Sequence, residues 1–406
     1  MTPKNRSVLT LLFLFVFVDV LGFSLILPLL PYYAETFGAT AEVVGLLLGA
    51  NALTQLLGAP ILGRLSDRFG RKPLLLLSLA GTVVGFLMLG LARSLAMIFA
   101  SRIVDGFVGG NISLAQAYIS DVTEGKERSK GFGLIGAAFG LGFIIGPALG
   151  GALSGGGNYA LPALVAAVLA LLNLLGVLLW LPESLPRHER ERRAQDPRAA
   201  FTARALVEAL TLPCVGPLLQ TQLLYSLAFT IFETGFALFA QKRLALDART
   251  TSFVLTYVGV LVVLVQGVGI RLLVRRFTDK QLVFGGSILL ALSLLAWAFT
   301  PSLGVLLVVL APLSLASGVL RVSINTALTR SVWPEEVGGT LGLSAALGSL
   351  ARVISPTVGG FLLGRVGAFA PGVLGALLMA WLIYYTWQRV LFMPDLECPR
   401  AREVGG

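Results

Sequence analysis

The chain alternates between long apolar runs and short polar breaks. A run of about 20 predominantly apolar residues is the length of helix that crosses the hydrocarbon core of a bilayer. Twelve such helices are predicted, at residues 7–31, 43–62, 74–92, 97–119, 132–152, 160–181, 213–240, 250–270, 282–300, 303–329, 339–363 and 370–388. The pattern therefore predicts an all-α membrane protein, with an N-terminal six-helix bundle (1–181), a polar linker (182–212) and a C-terminal six-helix bundle (213–406).

The two halves of the chain resemble each other. "GLIGAAFGLGFIIGPALGG" (133–151) and "GLSAALGSLARVISPTVGG" (342–360) are identical at eight of 19 positions, and "RFGRK" (68–72) has a fainter counterpart in "RFTDK" (276–280). Internal repeats of this kind are typical of transporters whose substrate site lies near the bilayer midplane, at the interface of the repeats. We therefore expect two pseudo-symmetric bundles.

Composition and charge exclude several other classes of protein. Charged residues make up 13% of the chain, about half of the roughly 25% that is usual in soluble proteins. The net charge of +10 does not indicate a nucleic-acid partner, because Lys and Arg lie in the connectors between apolar runs. With the N-terminus inside, 23 of the 31 basic residues face the cytoplasm and five face the opposite side. This bias predicts a multi-pass protein of the plasma or inner membrane with both termini in the cytoplasm.

The residues that usually carry enzyme or metal chemistry form no constellation in this sequence. The two cysteines, Cys214 and Cys398, have no metal-ligand spacing, and the single histidine, His188, lies in the linker. No Walker A sequence is present, so ATP is not expected to be the direct energy source. We predict no catalytic residues, no metal site and no cofactor.

Three motifs resemble those of one family. "GRLSDRFGRK" (63–72) resembles the loop between the second and third helices of the major facilitator superfamily, pattern G-x-L-x-D-R-x-G-R-K. "GFIIGPALGG" (142–151) is similar to the fifth-helix signature of its drug/proton antiporters, and "DVLGFSLILPLLP" (19–31) to the first-helix motif of the tetracycline-efflux branch. The resemblance covers essentially the whole chain and implies a twelve-helix transporter that works by alternating access. The tetracycline exporters of this family carry an acid in the ninth helix, whereas 282–300 has none, so the resemblance does not predict tetracycline itself as the substrate.

The charged loop at 63–72 is expected to be a conformational latch. Its contacts would hold the two halves of the protein together when the substrate site faces outward, and would break when the site faces inward. Gly63 would allow two helices to approach closely, and Gly70 would supply a sharp turn. Asp67 can cap a helix N-terminus, and the family fold points to the helix that begins near Gly339. Positive-inside bias alone does not explain an acid in this loop. The remaining latch residues are the cations Arg68 and Arg71, either of which can pair with Asp121 at the end of the fourth helix.

The fifth predicted helix carries glycines every four residues. Gly142, Gly146 and Gly150 give it one smooth face for close helix packing. Pro147 is expected to bend the helix, and Gly151 completes the motif.

Six ionisable residues lie within the predicted spans, and their charges sum to zero: Asp19, Arg102, Asp105, Glu233, Arg321 and Arg352. Charges in the membrane are costly unless they are paired or in contact with water, so each is a candidate functional residue. The three acids are candidate proton carriers, and the three arginines are their counter-ions or contacts for substrate.

Arg102 and Asp105 are three residues apart on one helix and can pair directly, so Asp105 is either a titrating group or a permanent partner of Arg102. Weaker candidates for a polar cavity, or for simple hydrogen bonds between helices, are Asn111, Gln116, Gln222 and Asn325.

The leading hypothesis is a proton-coupled exporter of small amphipathic compounds, driven by the proton gradient. The alternative within transport is an organic-anion carrier or uniporter, in which Arg102 and Arg321 bind the charge of the substrate. The sequence contains no arrangement of metal-ligating or nucleophilic residues that would support a membrane-embedded enzyme. A non-transporting receptor would not need a balanced set of buried charges. The expected partners are a small amphipathic substrate, protons and membrane lipid, without nucleic acid, and the protein is expected to act as a monomer.

Overall fold

The computed structural model describes residues 3–195, 210–212, 215–333 and 336–391. In these ranges the chain is helical and contains no strand. Twelve of its helices are long and apolar enough to cross a membrane, as the sequence predicts. By their contacts the described residues form two compact units. The first holds residues up to 195 together with 246–259, and the second holds the remainder from residue 210 onward.

The first unit consists mainly of nine helices. They are α1 (Pro3–Ile26), α2 (Leu30–Glu35), α3 (Ala41–Phe69), α4 (Arg71–Gly90), α5 (Leu95–Val108), α6 (Asn111–Val122), α7 (Gly125–Leu153), α8 (Ala160–Trp180) and α9 (Arg187–Gln195).

The helices after the linker are α10 (Gly216–Leu244), α11 (Ala248–Leu264), α12 (Ile270–Val274), α13 (Asp279–Ala298), α14 (Leu303–Arg330), α15 (Val337–Arg365) and α16 (Ala370–Thr386). A π-helical turn, Val265–Gly269, connects α11 to α12, and a second one, Trp387–Leu391, follows α16. The first turns of α11 belong to the first unit.

Two predicted helices prove to be interrupted. The first, predicted over 7–31, ends at Ile26 and resumes as α2, because Pro28 and Pro31 have no amide hydrogen to continue the helical ladder. The fourth, predicted over 97–119, is divided into α5 and α6 at Gly109–Gly110. The second predicted helix, 43–62, is longer than predicted and continues through the charged residues to Phe69. The apolar run predicts only the part of a helix that lies in the membrane, and the helix can continue beyond it with polar residues.

Close packing of α1 on α7 forms part of the first unit's core. A Cβ at Gly142 would lie 2.7 Å from the Val20 side chain, and Cβ atoms at Gly146 and Gly150 would collide with α1. The hydroxyl of Ser24 donates to the carbonyl of Gly142 at 2.8 Å. The predicted packing face is therefore confirmed, and α7 continues as a helix through Pro147.

Gly151 packs on a different neighbour. A Cβ there would lie 2.8 Å from Ser252 in the first turns of α11.

In the second unit an aromatic cluster forms part of the core. Trp297 of α13 is fully buried between Phe232 and Phe239 of α10, with ring centroids 4.9 and 4.7 Å away. The pseudo-symmetric counterpart of α7 is α15, which likewise continues through an internal proline, Pro356.

The linker is described only in part. Residues 187–195 form α9, and residues 196–209 of the predicted 182–212 connector lie outside the described residues.

Candidate functional site

A single residue, Gly70, separates α3 from α4. Its φ of +106° lies in the left-handed region, which only glycine adopts without strain. A Cβ at this position would also lie 2.5 Å from a carboxylate oxygen of Glu183 and 2.9 Å from the guanidinium carbon of Arg190. The sharp turn predicted at Gly70 is confirmed, and its space is filled by the start of the linker.

Arg71 is the centre of the ion-pair network in the charged loop. Its Nε donates to Oδ2 of Asp121 at 2.9 Å, its Nη2 donates to Oδ1 of Asp67 at 2.8 Å, and its Nη1 donates to the hydroxyl of Ser66. The Arg71 side chain is 6% exposed and that of Asp121 is 7% exposed. Of the two candidate cations it is therefore Arg71 that pairs with Asp121, whereas the exposed Arg68 stacks over the ring of Phe69 at 5.4 Å.

Gly63 and Asp67 are the other two residues of the predicted latch. A Cβ at Gly63 would meet no described atom within 4 Å, and the close helix approach expected there stays a prediction. The capping of the helix near Gly339 by Asp67 stays a prediction.

Glu183 is a member of this network that the sequence did not reveal. Its Oε1 accepts the backbone N–H of Arg71 at 2.8 Å and its Oε2 accepts that of Lys72 at 3.2 Å. An acid at the N-terminus of α4 satisfies two otherwise unpaired donors and interacts favourably with the helix dipole. No motif marks this acid, because its role depends on a contact between segments about 110 residues apart.

The start of the linker is also attached to the charged loop. Arg190 of α9 donates to the carbonyl of Phe69 at 3.1 Å and lies 3.5 Å from Glu183, and the hydroxyl of Ser184 donates to Asp121 at 3.3 Å. These contacts fix residues 183–190 against the same loop that holds the Arg71 network.

The second unit contains an ion pair at the corresponding repeat position, with its charges exchanged. The repeat aligns Arg71 with Asp279 and Asp121 with Arg330, and Nη1 of Arg330 donates to Oδ2 of Asp279 at 2.6 Å. Asp279 lies in the first turn of α13 and Arg330 in the last turn of α14, where the helix dipoles favour these signs. In the first unit the signs oppose the dipoles, so Arg71 depends on its neighbouring acids.

We expect Arg330→Gln to lower the stability of the protein by less than about 1 kcal/mol. The Arg330 side chain is 69% exposed, and exposed ion pairs contribute little. The measurement is the free energy of unfolding of the purified protein in detergent, with Arg276→Gln, an exposed neighbour, as the control. A loss of about 3 kcal/mol, the magnitude typical of a broken buried pair, would contradict this expectation.

A polar cluster lies within the spans of the first unit. Nδ2 of Asn111 donates to Oδ1 of Asp19 at 2.7 Å and to the hydroxyl of Thr82 at 3.3 Å. The Thr82 hydroxyl in turn lies beside the Asp105 carboxylate. Nη1 of Arg102 donates to Oδ2 of Asp105 at 3.3 Å, as the three-residue spacing predicts. Four helices, α1, α4, α5 and α6, thus bring the two candidate acids of this unit into one network.

Arg102 is buried in this cluster with part of its donor capacity unused. Its guanidinium lies over the Phe86 ring at 5.4 Å, and its Nη2 has no partner among the described residues. Gly85 leaves space for the acid opposite, because a Cβ there would lie 2.9 Å from that of Asp105.

The second unit contains the other three charged residues of the predicted spans. Glu233 is half-buried and is an electrostatic neighbour of Arg352, while Arg321 lies beside the hydroxyl of Tyr225. Nη2 of Arg352 donates to the hydroxyl of Ser349 at 3.1 Å. The side chains of both arginines are exposed. A charge inside a membrane span is less costly in a water-filled cavity than in lipid, so we expect these side chains to face water. This group therefore has two cations for one acid.

The weaker candidates differ in their surroundings. Gln222 donates to the hydroxyl of Ser226 at 3.1 Å, whereas Gln116 and Asn325 are exposed. Among the described residues no group of three or more His, Cys, Asp or Glu side chains is arranged to hold a metal ion.

Comparison with known proteins agrees with this architecture. The sequence model of the Major Facilitator Superfamily matches residues 12–356. The chain belongs to this superfamily, and it is a membrane transporter rather than an enzyme.

Three relatives illustrate the range of related proteins. The chain is 32% identical to the Escherichia coli tetracycline resistance protein, class C, over 87% of this chain and 89% of that protein. It is 28% identical to multidrug resistance protein 2 of Bacillus subtilis, over 88% and 89%. The crystal structure of the human organic anion transporter MFSD10 matches with a TM-score of 0.71 and 27% identity, over 95% of this chain and all of that one.

Proposed function

We propose that the protein is a proton-coupled antiporter that exports small amphipathic compounds by alternating access. The observation that carries this proposal is the network in which Asn111 and Thr82 connect Asp19 to Asp105 inside the spans. Acids held within a membrane can alternate between charged and neutral forms, and an adjacent arginine shifts the balance between them. Such groups can convert proton binding into a change of conformational preference.

The relatives support export of drug-like compounds without fixing the substrate. Tetracycline resistance and multidrug resistance proteins match most of the chain. The span of α13 has no acid between residues 282 and 300, so we propose a coupling scheme that uses Asp19, Asp105 and Glu233 instead.

A second candidate is an organic-anion carrier or uniporter. The observation that favours it is the excess of positive charge within the predicted spans of the second unit, where Arg321 and Arg352 accompany Glu233. The human relative of known structure is an organic anion transporter. In this scheme one arginine neutralises the acid and the other binds the anionic group of the substrate, with Arg102 as a further cation.

The proposal has further features, which are supported by the distribution of apolar and basic residues and by the family resemblance. The proton gradient is the energy source and no cofactor is required. The protein works as a monomer in the plasma or inner membrane, in contact with lipid and not with nucleic acid, and both termini are cytoplasmic.

Transport in proteoliposomes with an imposed pH gradient tests the proposal. The probes are tetracycline, the lipophilic cation tetraphenylphosphonium and the anion fluorescein. We expect gradient-driven flux of at least one probe in the wild type, and a loss of about tenfold or more in Asp19→Asn, because Asn cannot carry a proton. Asp105→Asn and Glu233→Gln show which other acid takes part.

Asp247→Asn is the matched control. Hydrogen bonds from Thr250 hold the pKa of the Asp247 carboxyl below its usual value, so it stays ionised near neutral pH, and it lies outside the spans. Flux of tetracycline or tetraphenylphosphonium that ignores the pH gradient would contradict antiport. Gradient-independent flux of fluorescein that is lost in Arg321→Gln would establish the second candidate.

A further inference from the structure

We propose that Asn111 is a positioning residue for the proton-coupling step, whose side-chain amide turns over when Asp19 takes up a proton. The amide nitrogen holds the ionised carboxylate, and the amide oxygen receives the O–H of the carboxylic acid. This inference rests on the proposed function and assigns a role to a residue that touches the proton carrier.

The first observation is the direction of the amide. An ionised carboxylate offers only acceptors, so the side chain that contacts it must present a donor. Asn111 does so with Nδ2, which lies 2.7 Å from Oδ1 of Asp19. The same nitrogen lies 3.3 Å from the Thr82 hydroxyl.

The second observation is the unused half of the amide. Oδ1 of Asn111 is buried and has no hydrogen-bond partner among the described residues, and the residue is 4% exposed. Buried acceptors are nearly always satisfied, so this one calls for an explanation. A protonated Asp19 offers a donor, because its carboxylic acid carries one O–H. This donor meets the amide oxygen once the amide has turned, and the amide nitrogen then takes the position without a partner among the described residues. Rotation about the last side-chain bond exchanges the amide oxygen and nitrogen without moving the helix.

The turn of the amide reaches Asp105 through Thr82. While the amide nitrogen donates to the Thr82 hydroxyl, that hydroxyl is free to donate to Asp105. When the amide oxygen takes its place, the hydroxyl donates to Asn111 instead. Proton uptake at Asp19 therefore turns the hydroxyl hydrogen away from Asp105, and the two acids respond to each other.

The surroundings of Asp19 contain few other charged groups. Asp105 is its electrostatic neighbour and is itself paired with Arg102. Of the other helices packed on α1, α7 has no ionisable side chain from residue 131 to 153, and α8 has none from residue 160 to 180. Asn111 is thus the polar contact of Asp19 that can be changed without altering charge.

The test is infrared titration of carboxyl groups in the purified protein, in detergent and without substrate or gradient. The band of the protonated acid that disappears in Asp19→Asn belongs to Asp19. We expect Asn111→Leu, which is similar in size and has no donor, to move the half-titration pH of this band by about one unit, a tenfold change in proton affinity.

Asn173→Leu is the matched control. Asn173 is also buried, and its Nδ2 donates to the carbonyl of Phe15 on α1 at 3.0 Å, one helical turn from Asp19. A purely structural bond between helices is lost in both variants, so a shift confined to Asn111→Leu is specific to the amide that contacts Asp19. Should that variant not fold, Asn111→Ser removes the amide with less disturbance and is expected to give the same shift.

A shift in Asn111→Leu or Asn111→Ser no larger than that in Asn173→Leu overturns the inference. It is overturned together with the role of Asp19 in the proposed function if Asp19→Asn removes no titrating band. If the shift is present while transport ignores the pH gradient, the proposed antiport fails and the proton-dependent amide stands.

Discussion

Replacing Gly146 by alanine is expected to destabilise the first unit by about 3 kcal/mol, at the upper end of the usual cost of overpacking. A Cβ at this position would lie 2.9 Å from the backbone nitrogen of Leu25 and 3.0 Å from the carbonyl oxygen of Leu21, and closer still to the hydroxyl of Ser24. Backbone atoms cannot rotate away as the end of a side chain can. Helix α1 would have to move, and with it Asp19, which lies about one turn before Ser24.

The control for this substitution lies on the same helix. A Cβ at Gly136 would meet no described atom within 4 Å, and the residue is exposed. Gly136→Ala is therefore expected to be neutral or to stabilise by up to about 1 kcal/mol, since alanine is the better helix former. Unfolding of both variants in the same detergent, followed by far-UV circular dichroism, makes the comparison. Equal stability of the two variants would contradict the tight contact between α1 and α7.

The fold was largely predictable because membrane spans depend on local composition. Apolar length identified all twelve spans, and the four-residue spacing of Gly142, Gly146 and Gly150 identified the packing face of α7. The interruptions were missed, although Pro28 and the Gly109–Gly110 pair were visible in the sequence. Helices in membranes often tolerate proline and glycine, so these residues alone do not decide where a helix is interrupted.

The candidate site was predictable where its members are near in sequence. Arg102 and Asp105 pair because they lie on one face of one helix. The contact of Asn111 with Asp19 joins residues 92 positions apart, and nothing in the local pattern distinguishes Asn111 from Gln116. Contacts of this kind depend on how the helices pack, which residue types do not encode locally.

The charged loop contains contacts that were predictable from the sequence and contacts that were not. The sequence allowed either Arg68 or Arg71 to pair with Asp121, but choosing between them required the geometry of the turn at Gly70. The role of Glu183 could not be predicted, because a single acid after a membrane span is common in sequences. Its role is visible only in its contact with the start of α4.

Replacing Arg71 by glutamine is expected to destabilise the protein by about 3–5 kcal/mol, the cost of breaking a buried ion pair. The guanidinium gives three separate donors to Asp67, Asp121 and Ser66, and its side chain is 6% exposed. Glutamine leaves the carboxylates of Asp67 and Asp121 without this cation. The measurement is the free energy of unfolding in detergent, with Arg68→Gln as the control because the Arg68 side chain is exposed.

Arg71→Lys separates the charge of this residue from its shape. Lysine keeps the positive charge but is a point charge on a flexible chain, and it cannot reproduce the fixed fork of three donors. We therefore expect Arg71→Lys to recover only part of the stability lost in Arg71→Gln, and to transport more slowly than Arg68→Gln under the same pH gradient. Full recovery by lysine would show that a cation alone suffices and that the geometry of the guanidinium does not matter. Equal stability of Arg71→Gln and Arg68→Gln would contradict the network itself, because two cations three residues apart would then be interchangeable despite their different burial.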